Sequence, residues 1–210
     1  MIASSINEIF HSFDYAILSL MHSLALSYGD ILTPLAEFMQ TIGQLPVLAL
    51  GWLSLILFIV MKDKKLGLNM LLAIALSAII VSLCIKGYVQ RLRPYDYTVV
   101  NEYHNWFVYV NSNVQTDVYS FPSGHTSAAM AGVTAFFICS KNKKVSWLVF
   151  VYALLMGLSR NYLMVHFPSD VLAGMLVGII AAILAHYLVK WLFKYLEDKD
   201  NRLAKYLLNK

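Results

Sequence analysis

Lysine and arginine are missing from the first 61 residues, and charged side chains of either sign make up only 13% of the 210-residue chain. A water-soluble domain carries about a quarter. Without an N-terminal basic region, no cleaved signal peptide is expected. Cysteine is nearly absent too: Cys84 and Cys139 fall in separate apolar runs at opposite expected depths, which argues against a disulfide and makes both read as small buried apolar side chains. The net charge of +4 does not call for nucleic acid as a partner, because membrane topology accounts for where the charge sits.

What is present is apolar. Hydrophobic residues make up 59% of the chain, the mean hydropathy is +0.63, and charge-poor runs of the length that crosses a bilayer recur. The expectation is an all-α, polytopic membrane bundle of five to six transmembrane helices with an N-terminal amphipathic helix. Three parts are expected: interfacial helices over 1–43, a transmembrane core over 44–193 and a cytoplasmic basic tail over 194–210.

Ile6, Ile9, Phe10, Phe13, Ile17, Leu20, Met21 and Leu24 recur at helical spacing, with Asn7, Glu8, His11, Ser12 and Asp14 largely on the other side. A second helical piece is expected over 31–41. The clearer spans are 44–61, 66–86, 123–140, 145–163 and 170–190. An aromatic-rich loop between 86 and 123 suits the headgroup level. Lysines cluster at 62–65, at 141–144 and in the tail, which these spans place on one side, cytoplasmic by the positive-inside rule. Lys86, Arg91, Arg93 and Arg160 fall on the opposite face, against that bias.

Three blocks meet on that face. In Lys86–Pro94, seven residues separate Lys86 from Arg93, so the two share a helical face if the helix continues to Pro94, with Arg91 pointing elsewhere. Alone, this block also reads as a snorkelling belt. In Phe121–Thr126, the unpaired N–H groups of a helix start can receive an anion. Gly124 allows close backbone approach, Ser123 adds a hydroxyl, and His125 sits where it can exchange a proton with whatever binds there. In Leu158–Asp170, Arg160 offers a bidentate grip on phosphate oxygens. His166 and Asp170 straddle Pro168 and are expected to meet across a turn, with Ser169 capping the next helix. An Asp on Nδ1 would orient the ring and leave Nε2 free as a nucleophile.

Read together, the blocks resemble the signature of the type 2 phosphatidic acid phosphatase superfamily: K-x6-R-P, P-S-G-H and S-R-x5-H-x3-D, with every position matched. The resemblance implies a metal-independent lipid phosphatase with a phosphohistidine intermediate and no cofactor. It makes His166 the nucleophile, Asp170 its orienting partner and His125 the acid for the leaving oxygen. Lys86, Arg93, Ser123, Gly124 and Arg160 become the phosphate-binding cradle. The expected substrate is a lipid phosphate at the outer leaflet, undecaprenyl diphosphate first, phosphatidylglycerol phosphate or phosphatidic acid next. A bacterial plasma membrane is the expected location, with the site on the non-cytoplasmic face. A non-catalytic lipid-phosphate binder or transporter is the alternative, and the two histidines separate it from an enzyme. Arg91 is left open between structure and contact with a second phosphate or headgroup. Tyr95 and Asp96 are candidates for the mouth. His11, His22, His104 and His186 read as interfacial or packing residues with no metal spacing.

Overall fold

A computed structural model describes residues 2–44, 51, 54, 56, 63–96, 101–110, 117–197 and 206–207. The expected span at 44–61 and most of the basic tail lie outside these residues. Helix α1 (Ile2–Gln44) is continuous by hydrogen bonding but broken at Tyr28 (φ −138, ψ 21). Pro34 follows six residues on, where its ring excludes the carbonyl of Asp30 as a helical acceptor. Helix α2 (Lys64–Ile79) starts where Asp63 accepts the Leu66 N–H at 3.2 Å. It runs on through a π-helical stretch, Ile80–Ile85, and a last turn, Lys86–Val89. Helix α3 (Asn101–Val110) lies in the aromatic loop. Helices α4 (Gly124–Cys139), α5 (Val149–Tyr162) and α6 (Pro168–Glu197) follow, close to the spans read from hydropathy.

Among the described residues, three helices are long and apolar enough to cross a membrane: Ile2–Thr41, Lys64–Val89 and Pro168–Glu197. Gly124–Cys139 is apolar but shorter. Leu83 is 78% and Leu176 62% exposed, so large aliphatic side chains point outward, as they do where the solvent is lipid. Cys84 is exposed among them, not buried as its residue type suggested, and it carries no disulfide.

Alternating helix direction gathers the end of α2, the start of α4, the end of α5 and the start of α6 at one end of the bundle. Lys64, Lys65, Lys143 and Lys144 mark the other end. Helices α2, α4 and α6 meet through Ala73, Ala131, Ala135, Ala181, Ala182 and Ala185, all fully buried. Small side chains suit this seam because apolar surface gains nothing by leaving lipid for protein, so association rests on close backbone approach. Two glycines set how close. A Cβ on Gly174 would stand 2.6 Å from the Ser123 carbonyl oxygen, and one on Gly178 2.5 Å from that of Ser127. Across the bundle, Leu18, Met21 and Ala25 of α1 pack with Tyr103 and Trp106 of α3 and with the Tyr162–Val165 turn.

Gly178→Ala must force α4 and α6 apart, a strain of about 1–3 kcal/mol. Thermal unfolding in detergent is expected to show a lower midpoint for this variant. Gly87→Ala, where an added Cβ meets nothing within 4 Å, should leave the midpoint unchanged or raise it.

Candidate active site

The helix carrying Lys86 does not reach Pro94. It ends at Val89, where Gln90 turns left-handed (φ 55) and donates its N–H to the Lys86 carbonyl at 3.0 Å. Lys86 and Arg93 therefore do not share a helical face. A turn brings them together instead, and both reach the carboxylate of Asp117. The returning chain holds this turn in place. Leu92 pairs with Tyr119, and Ser120 donates its N–H to the Arg91 carbonyl at 2.7 Å.

Arg93 is 3% exposed and spends its guanidinium on several acceptors. Nε donates to the Asp117 carbonyl at 2.6 Å, and NH1 to the Val165 carbonyl at 2.7 Å. NH1 also lies 3.2 Å from His166 Nε2. A guanidinium can only donate, so the Nε2 facing it carries the lone pair and the ring proton sits on Nδ1. That proton faces Asp170 Oδ2 across 3.5 Å, an approach that must shorten by about half an ångström to become a good hydrogen bond. Burial, then the charges of Arg93, Lys86 and Arg160, push the pKa of His166 well below the ordinary histidine value. Both effects favour the neutral ring.

Asp170 meets His166 because the chain turns between α5 and α6. Met164 takes a left-handed conformation (φ 54), and Asn161 Nδ2 donates to the His166 carbonyl at 3.0 Å. Helix α6 then begins at Pro168, a favoured first position. Ser169 is not its cap. The carboxylate of Asp170, three residues after Phe167, reaches back to accept the Phe167 N–H at 2.9 Å, half of a capping box. The Ser169 N–H is taken by Asp14 Oδ1 at 2.8 Å. Asp170 also binds through its main chain, where its carbonyl accepts the Ser123 N–H at 3.0 Å and ties the start of α4 to the start of α6.

The N–H groups of Gly124, His125 and Thr126 occupy the first turn of α4, where no helical acceptor exists. The Ser123 hydroxyl lies 2.9 Å from Thr126 Oγ1. At Gly124 an added Cβ would first touch Val81 at an ordinary 3.7 Å, so packing within the protein does not require the glycine. Arg160 closes α5 at 1% exposure, and among the described residues its Nε and NH2 have no hydrogen-bond partner. A buried guanidinium with unbonded donors can accept an anion as its partner. Its charge is felt at both His125 and His166.

Two acidic residues escaped the sequence reading. Asp117 sits in the aromatic loop, and burial alone would raise its pKa, but Lys86 and Arg93 outweigh this and hold it below the ordinary carboxylate value. Asp14, assigned to the polar side of the first helix, is 2% exposed and meets Arg91 at 2.7 Å. Arg91 faces inward as well, to Asp170 Oδ1 at 2.6 Å, and so is no headgroup contact. The sequence hint was four acids on α1, Glu8, Asp14, Asp30 and Glu37, with no Lys or Arg among them, and an Arg two residues before Arg93. Tyr95 packs on Phe107 with ring centroids 4.6 Å apart, His22 stacks on Trp106, and His104 bonds the Tyr95 carbonyl at 2.7 Å. Among the described residues no group of three His, Cys, Asp or Glu side chains could hold a metal ion.

The family model for the PAP2 superfamily matches residues 66–194. An undecaprenyl-diphosphatase of Sulfolobus acidocaldarius is 31% identical over 158 residues, covering 72% of this chain and 68% of that protein. Phosphatidylglycerophosphatase B of Bacillus subtilis is 34% identical over 117 residues, about half of each chain. Among solved structures, Aquifex aeolicus LpxE superposes with a TM-score of 0.59 at 26% identity, over 80% of this chain and 93% of that one. The transmembrane PAP2-type phosphatidylglycerolphosphate phosphatase of Bacillus subtilis gives 0.61 at 27% identity, over 96% and 94%.

Asp117 occupies the two cations with which an oxyanion would pair. Asp117→Asn should therefore bind orthovanadate or inorganic phosphate more tightly than wild type, by isothermal titration in detergent. Weaker binding would mean that Asp117 organises the cations instead of competing for them.

Proposed function

The chain belongs to the PAP2 superfamily and is a membrane phosphatase of lipid phosphates, and we propose that it works through a phosphohistidine formed on His166. The observation that carries this reading is the His166 Nε2 lone pair, held 3.2 Å from an Arg93 nitrogen on a ring backed by Asp170. Nε2 attacks phosphorus, the N–P bond forms, and the P–O bond to the lipid breaks. His125 protonates the departing oxygen. A water then gives a proton to the now neutral His125 and attacks the same phosphorus, which breaks the N–P bond, returns the His166 ring to neutrality and restores the His125 imidazolium for the next turnover. Lys86, Arg93, Arg160 and the first N–H groups of α4, with Ser123 and Gly124, compensate charge on the equatorial oxygens throughout.

An apolar cleft of about 230 Å³ between α1 and α5, lined by Met21, Leu24, Leu35, Ala36, Leu155 and Leu158, continues to Ser159 and Tyr162 on either side of Arg160. Its place supports a lipid tail lying between helices while the headgroup reaches the cradle. The lysine pattern supports a site on the outer face of a bacterial plasma membrane, with five to six spans and the three parts bounded at 43 and 193. A polyprenyl diphosphate such as undecaprenyl diphosphate is the leading substrate, supported by the name of the archaeal relative. Phosphatidylglycerol phosphate and phosphatidic acid come next, the first supported by the Bacillus relatives.

Phosphate release from these three lipids and an aryl phosphate, with EDTA present, tests the reading. Wild type should turn over at least one lipid and His166→Ala none, with measurable phosphate binding retained. Turnover by His166→Ala would remove the nucleophile. His125→Ala should slow lipid hydrolysis by about 10²–10⁴-fold. The loss should be smaller on the aryl ester, whose leaving group needs little protonation, and an equal loss on both would contradict the acid role.

A further inference from the structure

The buried pair of charges behind the site reaches further than the reaction needs for binding. Arg91 is 1% exposed, and each side of its guanidinium is engaged: NH1 with Asp170 Oδ1 at 2.6 Å and with the Ser169 hydroxyl at 2.7 Å, NH2 with Asp14 Oδ2 at 2.7 Å, Nε with Asn7 Oδ1 at 2.7 Å. Its flat face lies 3.8 Å over the Phe167 ring. Four of its five N–H donors are thus spent on the protein, and the side chain is sealed from solvent. Asp14 is equally occupied: Oδ1 accepts the Ser169 N–H at 2.8 Å, and Oδ2 accepts the Ser169 hydroxyl at 2.7 Å besides Arg91.

We propose that Asp14 and Arg91 are positioning residues of the phosphatase, a carboxylate–guanidinium–carboxylate chain from α1 that fixes the aim of Asp170 and through it of His166. The inference rests on His166 and Asp170 being the nucleophilic pair. Arg91 takes Oδ1 of Asp170 and leaves Oδ2 to the Phe167 N–H and to His166 Nδ1. Because Asp14 shares Arg91, the three side chains sum to one negative charge, with Asp170 the member nearest the ring. That surplus favours the positive charge that grows on the imidazole as Nε2 bonds to phosphorus. With Asp14 neutral, Arg91 and Asp170 would cancel and the ring would lose this support. Asp14 and Asn7 lie outside the matched family segment, 66–194, so the N-terminal helix completes a site whose signature residues all come from later in the chain.

The test compares kcat and KM on a lipid phosphate and an aryl phosphate for wild type, Asp14→Asn, Asp14→Glu, Arg91→Lys and His166→Ala, with thermal unfolding of each in detergent. Asp14→Asn keeps the shape and removes the charge. It should lose about 10–100-fold in kcat on both substrates with KM little changed. Asp14→Glu should recover much of that loss. Arg91→Lys keeps a charge but cannot span Asp14, Asp170 and Asn7 together, so it should behave like Asp14→Asn and decides the matter if Asp14→Asn fails to fold. Wild-type kcat in Asp14→Asn, or a change confined to KM, would overturn the proposal. So would equal losses in Asp14→Asn and Asp14→Glu that track a fall in thermal midpoint, which would make Asp14 a helix cap and no more. Turnover by His166→Ala would instead remove the premise, while an inert His166→Ala beside a fully active Asp14→Asn would remove only this inference.

Discussion

A guanidinium sealed from water has to find its acceptors in the protein, and Arg91 and Arg160, two of the three arginines buried near the site, resolve that demand in opposite ways. Arg91 bonds two carboxylates, an amide oxygen and a hydroxyl. Arg160, equally buried, keeps Nε and NH2 without partners among the described residues. Removing one member of a buried ion pair costs about 3–5 kcal/mol because the other charge is stranded. The Arg91 cluster is thus held in one arrangement, whereas Arg160 is not tied in this way through its Nε and NH2 among the described residues. The two arginines differ in hydrogen bonding and not in burial: Arg91 is spent on the protein, and Arg160 has nitrogens that, among the described residues, the protein does not bond.

The frame depends on close helix approach. Gly174 and Gly178 let α6 come against the backbone of α4 at Ser123 and Ser127. That contact puts the Ser123 N–H on the Asp170 carbonyl, so the helix start that would bind oxygens and the helix start that aims the histidine move as one body. Asp170 serves the same end three times over, as cap for the Phe167 N–H, as partner of Arg91 and as the carboxylate facing His166. A negative side chain at a helix N-terminus is also favoured by the helix dipole, and α6 has two such groups, Asp170 and Asp14.

Much of the helical layout was legible in the chain. Apolar runs located α2, α4 and α5 within a few residues, since helix length in a bilayer is set by its thickness, and α6 at its start, though it runs seven residues past the expected end at 190. The break in α1 fell between the two helical pieces that hydrophobic spacing marked out. The geometry between blocks was less legible. The interval from Lys86 to Arg93 invited a shared helical face, but a left-handed Gln90 ends the helix first, and convergence comes through a turn pinned by Ser120. Ser169 looked like a cap because Ser is good at it, yet Pro168 starts the helix one residue earlier and two aspartates take the N–H groups.

Hydropathy and motif spacing alone mark the chain as a membrane helical bundle of the PAP2 superfamily, with Lys86, Arg91, Arg93 and Arg160 set opposite its lysine clusters. Hydropathy and motif spacing are local properties, and local properties survive in one dimension. What each polar group faces is set by the three-dimensional packing. It turned Asp14 from the side of an amphipathic helix into the partner of a buried arginine 77 residues away, and it set Asp117 across Lys86 and Arg93. A charge finds its counter-charge through space, and no spacing rule along the chain encodes which of several acids will arrive.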